Sequence, residues 1–197
     1  MSRRFAIIGH RAPSSGKINL NDLAGSSGRI DVLVRAVNTA LFLSHGIRHD
    51  TEIILHLLGG PGPPRRICFI GETVRGLHPD ERAIAGQIAR ALKEPVPAIG
   101  QKLELHSGFW HSGGTIDQTI AEWRKDDVSI FLLDVEGEKI GDIKEDNLEI
   151  GFILSDDQPL SESDLTAIDH IPRLSLGNQW LQGHACISII HHLLDQD

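Results

Sequence analysis

Apolar positions along the chain change period several times, and each change marks an element. Phe5 to Gly9 is a short apolar run that reads as a buried strand. Residues 10–28 form a long Gly/Ser/Asn-rich connection. Ile30, Leu33, Val34, Val37, Ala40 and Leu41 then recur at steps of three and four, which predicts a helix from near Arg29 that Ser44-His45-Gly46 ends. Thr51–Leu58 and Ile67–Ile70 are strands, separated by Gly59-Gly60-Pro61-Gly62-Pro63-Pro64, a turn that no regular element crosses. Pro79-Asp80-Glu81 opens a helix to about Leu92, with proline in the first turn and acids at the positive end of the dipole.

Between residues 93 and 113 prolines and glycines break the pattern, leaving one strand around Leu103 to Trp110. Thr115–Trp123 is helical. Ser129–Leu133 and Ile150–Leu154 are continuous apolar runs, and Ser161-Glu162-Ser163-Asp164 opens a short helix. Ile171–Leu176 is a last strand. Cys186, Ile189, Ile190, Leu193 and Leu194 form the apolar stripe of a final helix. No internal repeat is visible.

Alternating strands and helices, with apolar runs in the later strands, predict an α/β fold. It has a mostly parallel sheet with helices on both faces, in a single domain spanning 1–197. Ligands of such sheets lie beyond the carboxyl ends of the strands. That directs attention to residues 155–160 and 176–183 and to the Gly-rich segment before Arg29.

Composition narrows the class. The chain has 197 residues, 40% hydrophobic and 23% charged, enough apolar surface to offset the ordering entropy of a globular core. No stretch approaches the length of a membrane span, and Phe5–Ile8 is too short an apolar run for a signal peptide. The two cysteines, Cys68 and Cys186, are far apart, and no Cys-x-x-Cys occurs. A zinc ribbon or thioredoxin motif is excluded, and a cytoplasmic protein is expected. Of the 11 histidines, His45/His49 and His191/His192 are the pairs nearest to metal-ligand spacing. Without a third ligand they read as solvated or hydrogen-bonded imidazoles, and no metal site is expected.

The overall charge of −8 argues against a nucleic-acid partner, but its distribution argues for one. Residues 1–75 hold ten bases against five acids, a net +5, while the rest holds nine bases against 22 acids, a net −13. Nine of those ten bases are Arg, whose planar fork suits phosphates. Familiar motifs are missing. Gly59-Gly60-Pro61-Gly62 runs through prolines into a strand rather than a helix, so it is no dinucleotide fingerprint. Ser15-Gly16-Lys17 lacks the upstream glycine of a P-loop, and neither Gly-x-Ser-x-Gly nor His-Glu-x-x-His occurs.

Three segments carry a resemblance. They are Gly25-Ser26-Ser27-Gly28-Arg29-Ile30-Asp31 continuing through Phe42-Leu43-Ser44-His45, His78-Pro79-Asp80-Glu81-Arg82, and the C-terminal set Phe152–Asp156, Arg173–Gly177 and Leu181–Cys186. Together they make the chain similar, nearly end to end, to the TrmY family, tRNA pseudouridine-54 N1-methyltransferases of the SPOUT superfamily. The middle, 93–127, is least similar. The chain departs from the family at Ser155-Asp156-Asp157, where members carry Ser/Gly-Asp-His, and at Gln182-Gly183-His184-Ala185.

The resemblance implies a C-terminal trefoil knot, a homodimer built on the helix at Arg29 and the last helix, and S-adenosylmethionine bound among the knot loops. The cofactor residues it implies are Leu133, Leu154, Ser155, the segment Leu174, Ser175, Leu176, Gly177, Asn178, Gln179, Trp180 and Leu181, and Cys186. With tRNA as partner, Arg29 and Arg35 contact phosphates, and Ser26 and Ser27 shape the turn before the helix. Asp31, one turn from Arg35, is the candidate catalytic carboxylate, because N1 of pseudouridine must lose a proton before it attacks. Two alternatives stay open: the same chemistry on another RNA such as rRNA, and an inactive RNA-binding protein of the same fold.

Overall fold

The computed structural model describes residues 2–140 and 149–196. β1 (Ser2–Pro13) opens the chain. A long connection leads to α1 (Ile30–Leu41), then a small ribbon of β2 (Phe42–Leu43) and β3 (Gly46–Ile47). β4 (Thr51–Gly59), β5 (Arg65–Ile70) and α2 (Glu81–Lys93) follow, then β6 (Leu103–His106), β7 (Phe109–Gly113) and α3 (Ile116–Lys125). The last third holds β8 (Ser129–Lys139), β9 (Glu149–Ser155), α4 (Glu162–Ile168), β10 (Arg173–Ser175) and α5 (Gly183–Leu194).

Eight strands form one sheet in the order β10-β8-β9-β1-β4-β5-β7-β6. The five strands from β10 to β4 are parallel, whereas β5, β7 and β6 extend the sheet by antiparallel pairings. The sheet is thus mixed. Only five residues separate β4 from β5, far fewer than the dozen or so that a parallel crossover needs.

Alternation along β1 divides the core into two layers. Phe5 and Ile7 pack with α1, α2 and α5 on one face. Ala6 and Ile8 pack with Ile116, Ile120 and Trp123 of α3 and Ile168 of α4 on the other. The local signals act as capping chemistry requires. Asp80 accepts from the Ala83 N–H at 2.8 Å, Gln118 from the Thr115 N–H at 2.6 Å, and the Ser161 N–H donates to Asp164 at 2.9 Å.

The structure redraws several boundaries. β1 continues to Pro13, where it meets Gly59, with an irregularity after Gly9. The strand expected over Leu103–Trp110 is two strands, because Gly108 at φ 70 turns the chain into a hairpin. α1 stops at Leu41, and Ser44-His45 form the tip of the β2–β3 ribbon. β8 runs on past Leu133 to Lys139.

The charge map also changes. Arg3, Arg65 and Arg66 are buried, and Arg4 and Arg48 are paired with Asp126 and Asp195 from the acidic half. The excess of arginine before residue 75 therefore belongs largely to the interior and to contacts between halves. His191, one of the paired histidines, is interior as well. Its Nε2 donates to Ala40 O at 3.1 Å and its Nδ1 accepts from Arg3 at 3.1 Å. Burial and two nearby arginines lower its pKa to about 4, so it stays neutral. Among the described residues, no group of three or more His, Cys, Asp or Glu is placed to hold a metal ion, and no helix is long and apolar enough to cross a membrane.

Candidate active site

A cleft of about 650 Å³ opens beyond the carboxyl ends of β9 and β10, at the part of the sheet where ligands of parallel folds bind. That volume falls within the roughly 300–1,000 Å³ of small-molecule sites. Leu133, Asp134 and Val135 of β8 form one side, with Leu154 and Ser155 at the end of β9 and Leu174 in β10. The 156–160 loop and the first residues of α5 form another, and Arg29, Val32 and Arg35 of the α1 region close the third.

Ten of the twelve cofactor residues expected from sequence line this cleft: Leu133, Leu154, Ser155, Leu174, Leu176, Gly177, Gln179, Trp180, Leu181 and Cys186. Ser175 and Asn178 do not. The Ser175 hydroxyl is turned onto Gly177 O at 3.0 Å instead. Leu174 serves both core and cleft, being 3% exposed. Cys186 is half-buried, and burial pushes its thiol up to about 11, so it remains a neutral, unreactive wall. Trp180, 79% exposed, stands at the rim.

Arg29 and Arg35 line the same cleft as these loops, so the arginines and the cofactor residues form one site rather than two separate faces. Asp31 lies behind them, buried. Arg29 Nε donates to its Oδ1 at 2.9 Å and Arg29 Nη2 to its Oδ2 at 3.1 Å, while Arg35 Nη2 donates to the same Oδ2. Burial alone would raise the Asp31 carboxyl, but Arg29 and then Arg35 outweigh it and hold it below its usual range. Ser26 and Ser27 do not cap α1. Ser27 Oγ accepts from the Asn19 N–H at 2.8 Å, and the helix begins on Arg29, which has no side-chain cap.

Sequence reasoning passed over the acids of this cleft. Asp156 and Asp157 line it. Asp156 is held through His10, whose Nδ1 lies 2.9 Å from Asp156 Oδ1 and whose Nε2 lies 2.9 Å from Asp164 Oδ2. The hydrogen bond to Asp156 is the main cause that raises the His10 pKa. Burial opposes it, and Asp164 adds to it. The sequence carried one signal for these acids, the Ser155-Asp156-Asp157 run that closes β9.

The whole chain matches known proteins. Residues 2–197 fit the family described as "Putative SAM-dependent RNA methyltransferase". The chain belongs to this family. The tRNA (pseudouridine(54)-N(1))-methyltransferase of Methanospirillum hungatei is 38% identical over 96% of this chain and 94% of its own length. The enzymes of that name from Methanococcus vannielii and Methanocella arvoryzae are each 36% identical, over 98% of this chain and 98% and 99% of their own. In fold the chain resembles Archaeoglobus fulgidus Nep1, solved with S-adenosylhomocysteine, with a TM-score of 0.69 at 12% identity over 100% of this chain and 98% of that one.

The cleft suits the family's cofactor. Leu154, Leu174 and Leu176 offer apolar walls to a flat ring, and Gly177, at φ 131 with open space where a Cβ would stand, leaves its backbone accessible. Asp134, Asp156 and Asp157 edge the cleft, paired with Arg173, with His10, and with Arg11 and Arg29 respectively.

Proposed function

We infer that the protein methylates N1 of pseudouridine 54 in tRNA with S-adenosylmethionine as donor. The observation that carries this is an apolar, acid-edged cleft at the carboxyl ends of the strands, in a chain alike from end to end to methyltransferases of that name. S-Adenosylmethionine, when bound, supplies a methyl group already activated on a sulfonium, so the protein needs no nucleophile of its own. The neutral thiol of Cys186 agrees with this.

Position and electrostatics remain for the residues to provide. Leu154, Leu174 and Leu176 would flank the adenine, the backbone from Leu176 to Leu181 would offer hydrogen bonds to its edge, and the Leu133 side chain would close the wall. Arg29 and Arg35 receive the RNA. Arg29 contacts the RNA backbone, and the Arg35 guanidinium stabilises the negative charge that builds in the pyrimidine as N1 gives up its proton. Asp31, expected from sequence to accept that proton, has both oxygens engaged by guanidiniums and a lowered proton affinity. That geometry favours a positioning residue that aims the two arginines.

The reading extends to assembly. We take the chain as one domain with the C-terminal knot of SPOUT proteins. A homodimer is supported by the half-exposed Ala185, Ile189 and Leu193 along one face of α5. We take the protein to act in the cytoplasm, a reading that tRNA as substrate and two free cysteines support.

Mass spectrometry of pseudouridine-54 tRNA incubated with the protein and S-adenosylmethionine tests the function, with 1-methylpseudouridine at position 54 as the expected product. Methylation of rRNA alone assigns the chemistry to another RNA. Tight binding of both cofactor and RNA without product assigns an inactive binder.

A further inference from the structure

Two cations share one carboxylate oxygen at the mouth of the cleft. Arg11, near the end of β1, and Arg29, at the start of α1, both donate to Oδ2 of Asp157, Arg29 through Nη1 at 2.9 Å. The backbone is built to bring them there. A Cβ on Gly28 would stand 2.0 Å from the Arg11 carbonyl oxygen, and one on Gly59 would stand 2.3 Å from it. Neither position admits a side chain, so two glycines grip Arg11 and set it against the first residue of α1. Arg29 itself has φ 61, a left-handed conformation that costs a non-glycine residue about 1 kcal/mol or more.

Stability does not account for this arrangement. The Arg11 side chain is 49% exposed, and among the described residues its guanidinium makes no other hydrogen bond. An exposed pair of this kind contributes under about 1 kcal/mol. The glycines fix the Arg11 backbone and Arg29 also neutralises the buried Asp31, so what stability leaves unexplained is the Arg11 side chain, held on Asp157 for a contact of little energetic value. What the arrangement does achieve is geometric: two guanidinium forks converge on one anionic oxygen, the way arginines hold a phosphate.

We propose that Arg11 and Arg29 form a slot for a backbone phosphate of the RNA substrate, and that Asp157 is a resident anion which the phosphate displaces. The inference rests on reading the cleft as an RNA-methylating site. Asp157 holds the two cations together and aimed at one point while no RNA is bound, at the cost of competing with the RNA for them. A phosphodiester has two non-bridging oxygens, so it accepts from both forks at once where Asp157 offers a single shared oxygen.

The sign of one substitution separates a placeholder from a strut. Binding of an unmodified tRNA transcript is measured by fluorescence anisotropy across a salt series. Asp157→Asn keeps the shape and removes the charge, and it should tighten binding by about two- to fivefold, the fold-change that corresponds to one exposed ion pair. Arg11→Ala should weaken binding and flatten the log–log salt slope by about one unit, the loss of one phosphate contact. If Asp157 merely braces the loop, Asp157→Asn weakens binding or leaves it unchanged, and the proposal falls. Arg11 is exposed, so its variant tests the slot even if Asp157→Asn fails to fold, and an unchanged slope overturns the proposal. Loss of S-adenosylmethionine affinity in Arg11→Ala, with the salt slope intact, assigns the slot to the cofactor's carboxylate and overturns it too. Failure of the methylation reading shows separately, as absence of methylated product from the unaltered protein.

Discussion

The Nδ1 of His10 lies 2.9 Å from Oδ1 of Asp156, joining β1 to the loop that walls the cofactor cleft. Because Nε2 of the same ring meets Asp164 at 2.9 Å, both bonds are donated only by the imidazolium. His10 is held above its ordinary pKa, so its contribution is fully present below about 6.5 and is lost as pH rises through the folded value. Thermal stability and S-adenosylmethionine affinity should therefore both decline as pH rises above about 6.5. His10→Gln should lower stability by about 1–2 kcal/mol, a few degrees in Tm, and should flatten the pH dependence. A wild-type profile already flat over that range contradicts the role.

Asp31 and Arg35 offer a second test. If Asp31 acts by aiming the arginines, adding Asp31→Asn to a variant that carries both Arg29→Ala and Arg35→Ala hardly slows single turnover further. If Asp31 takes the proton from N1, its loss adds a further factor on the order of 10²–10⁴ even in that background. Since Asp31 is held below its usual range, its charge contributes to stability at neutral pH and is lost only as pH falls through that lowered value. Asp31→Asn should accordingly lower Tm at pH 7, and the difference from wild type should shrink as pH falls below the ordinary carboxylate range.

What the sequence displayed, it displayed through period and punctuation. The steps of three and four in α1 stand, for Ile30, Leu33, Val34, Val37, Ala40 and Leu41 are all buried. In α5 the stripe is displaced, because the sheet covers Gly183, Ile187, Ile190 and His191 and leaves Cys186, Ile189, Leu193 and Leu194 half-exposed. Asp80, Thr115 and Ser161 marked helix starts because capping is local chemistry. The cleft loops were found because a parallel sheet directs ligands to its carboxyl ends. Failures arose where a residue's role depends on distant chain. Arg65 read as part of a basic patch, yet it is fully buried, donating to Ala91 O and, at 2.6 Å, to Glu94 O at the end of α2. No spacing announces that an arginine will satisfy another helix's last carbonyls. Asp156 likewise acquires its meaning from His10, 146 residues earlier. The antiparallel β4–β5 hairpin was different, for the length of its turn was in plain view and excluded a parallel crossover.

Two glycines should respond in opposite directions. Gly28→Ala forces a Cβ against the Arg11 carbonyl at φ 61, and it should cost about 2 kcal/mol or more, lowering Tm by roughly 4 °C or more. Gly86, inside α2, has nothing within 4 Å of a Cβ position. Gly86→Ala should stabilise by about 0.4–1 kcal/mol, because alanine loses less backbone entropy on entering a helix. Calorimetric melts of the two variants decide the point, and a neutral Gly28→Ala would remove the argument that this glycine fixes Arg11.

The proposed dimer would use one face of α5. Ile187 and Ile190 of that helix are fully buried against the sheet, whereas Ala185, Ile189 and Leu193 follow one another at steps of four and remain half-exposed. α1, by contrast, is covered along nearly its whole surface and leaves only Arg35, Asn38 and Thr39 half-exposed, so α5 must provide most of any apolar contact. In a two-fold interface such a stripe meets its own copy, and a carboxylate at its centre faces its symmetry mate in an apolar setting. Leu193→Asp should therefore give a monomer by light scattering with an unchanged far-UV circular dichroism spectrum, since Leu193 is not part of the sheet-facing core. Ile187→Asp is the contrasting case, because it buries a charge under the sheet and should unfold the chain. A wild-type protein that is monomeric and fully active at assay concentration rules out the dimer, as does a Leu193→Asp variant that stays dimeric.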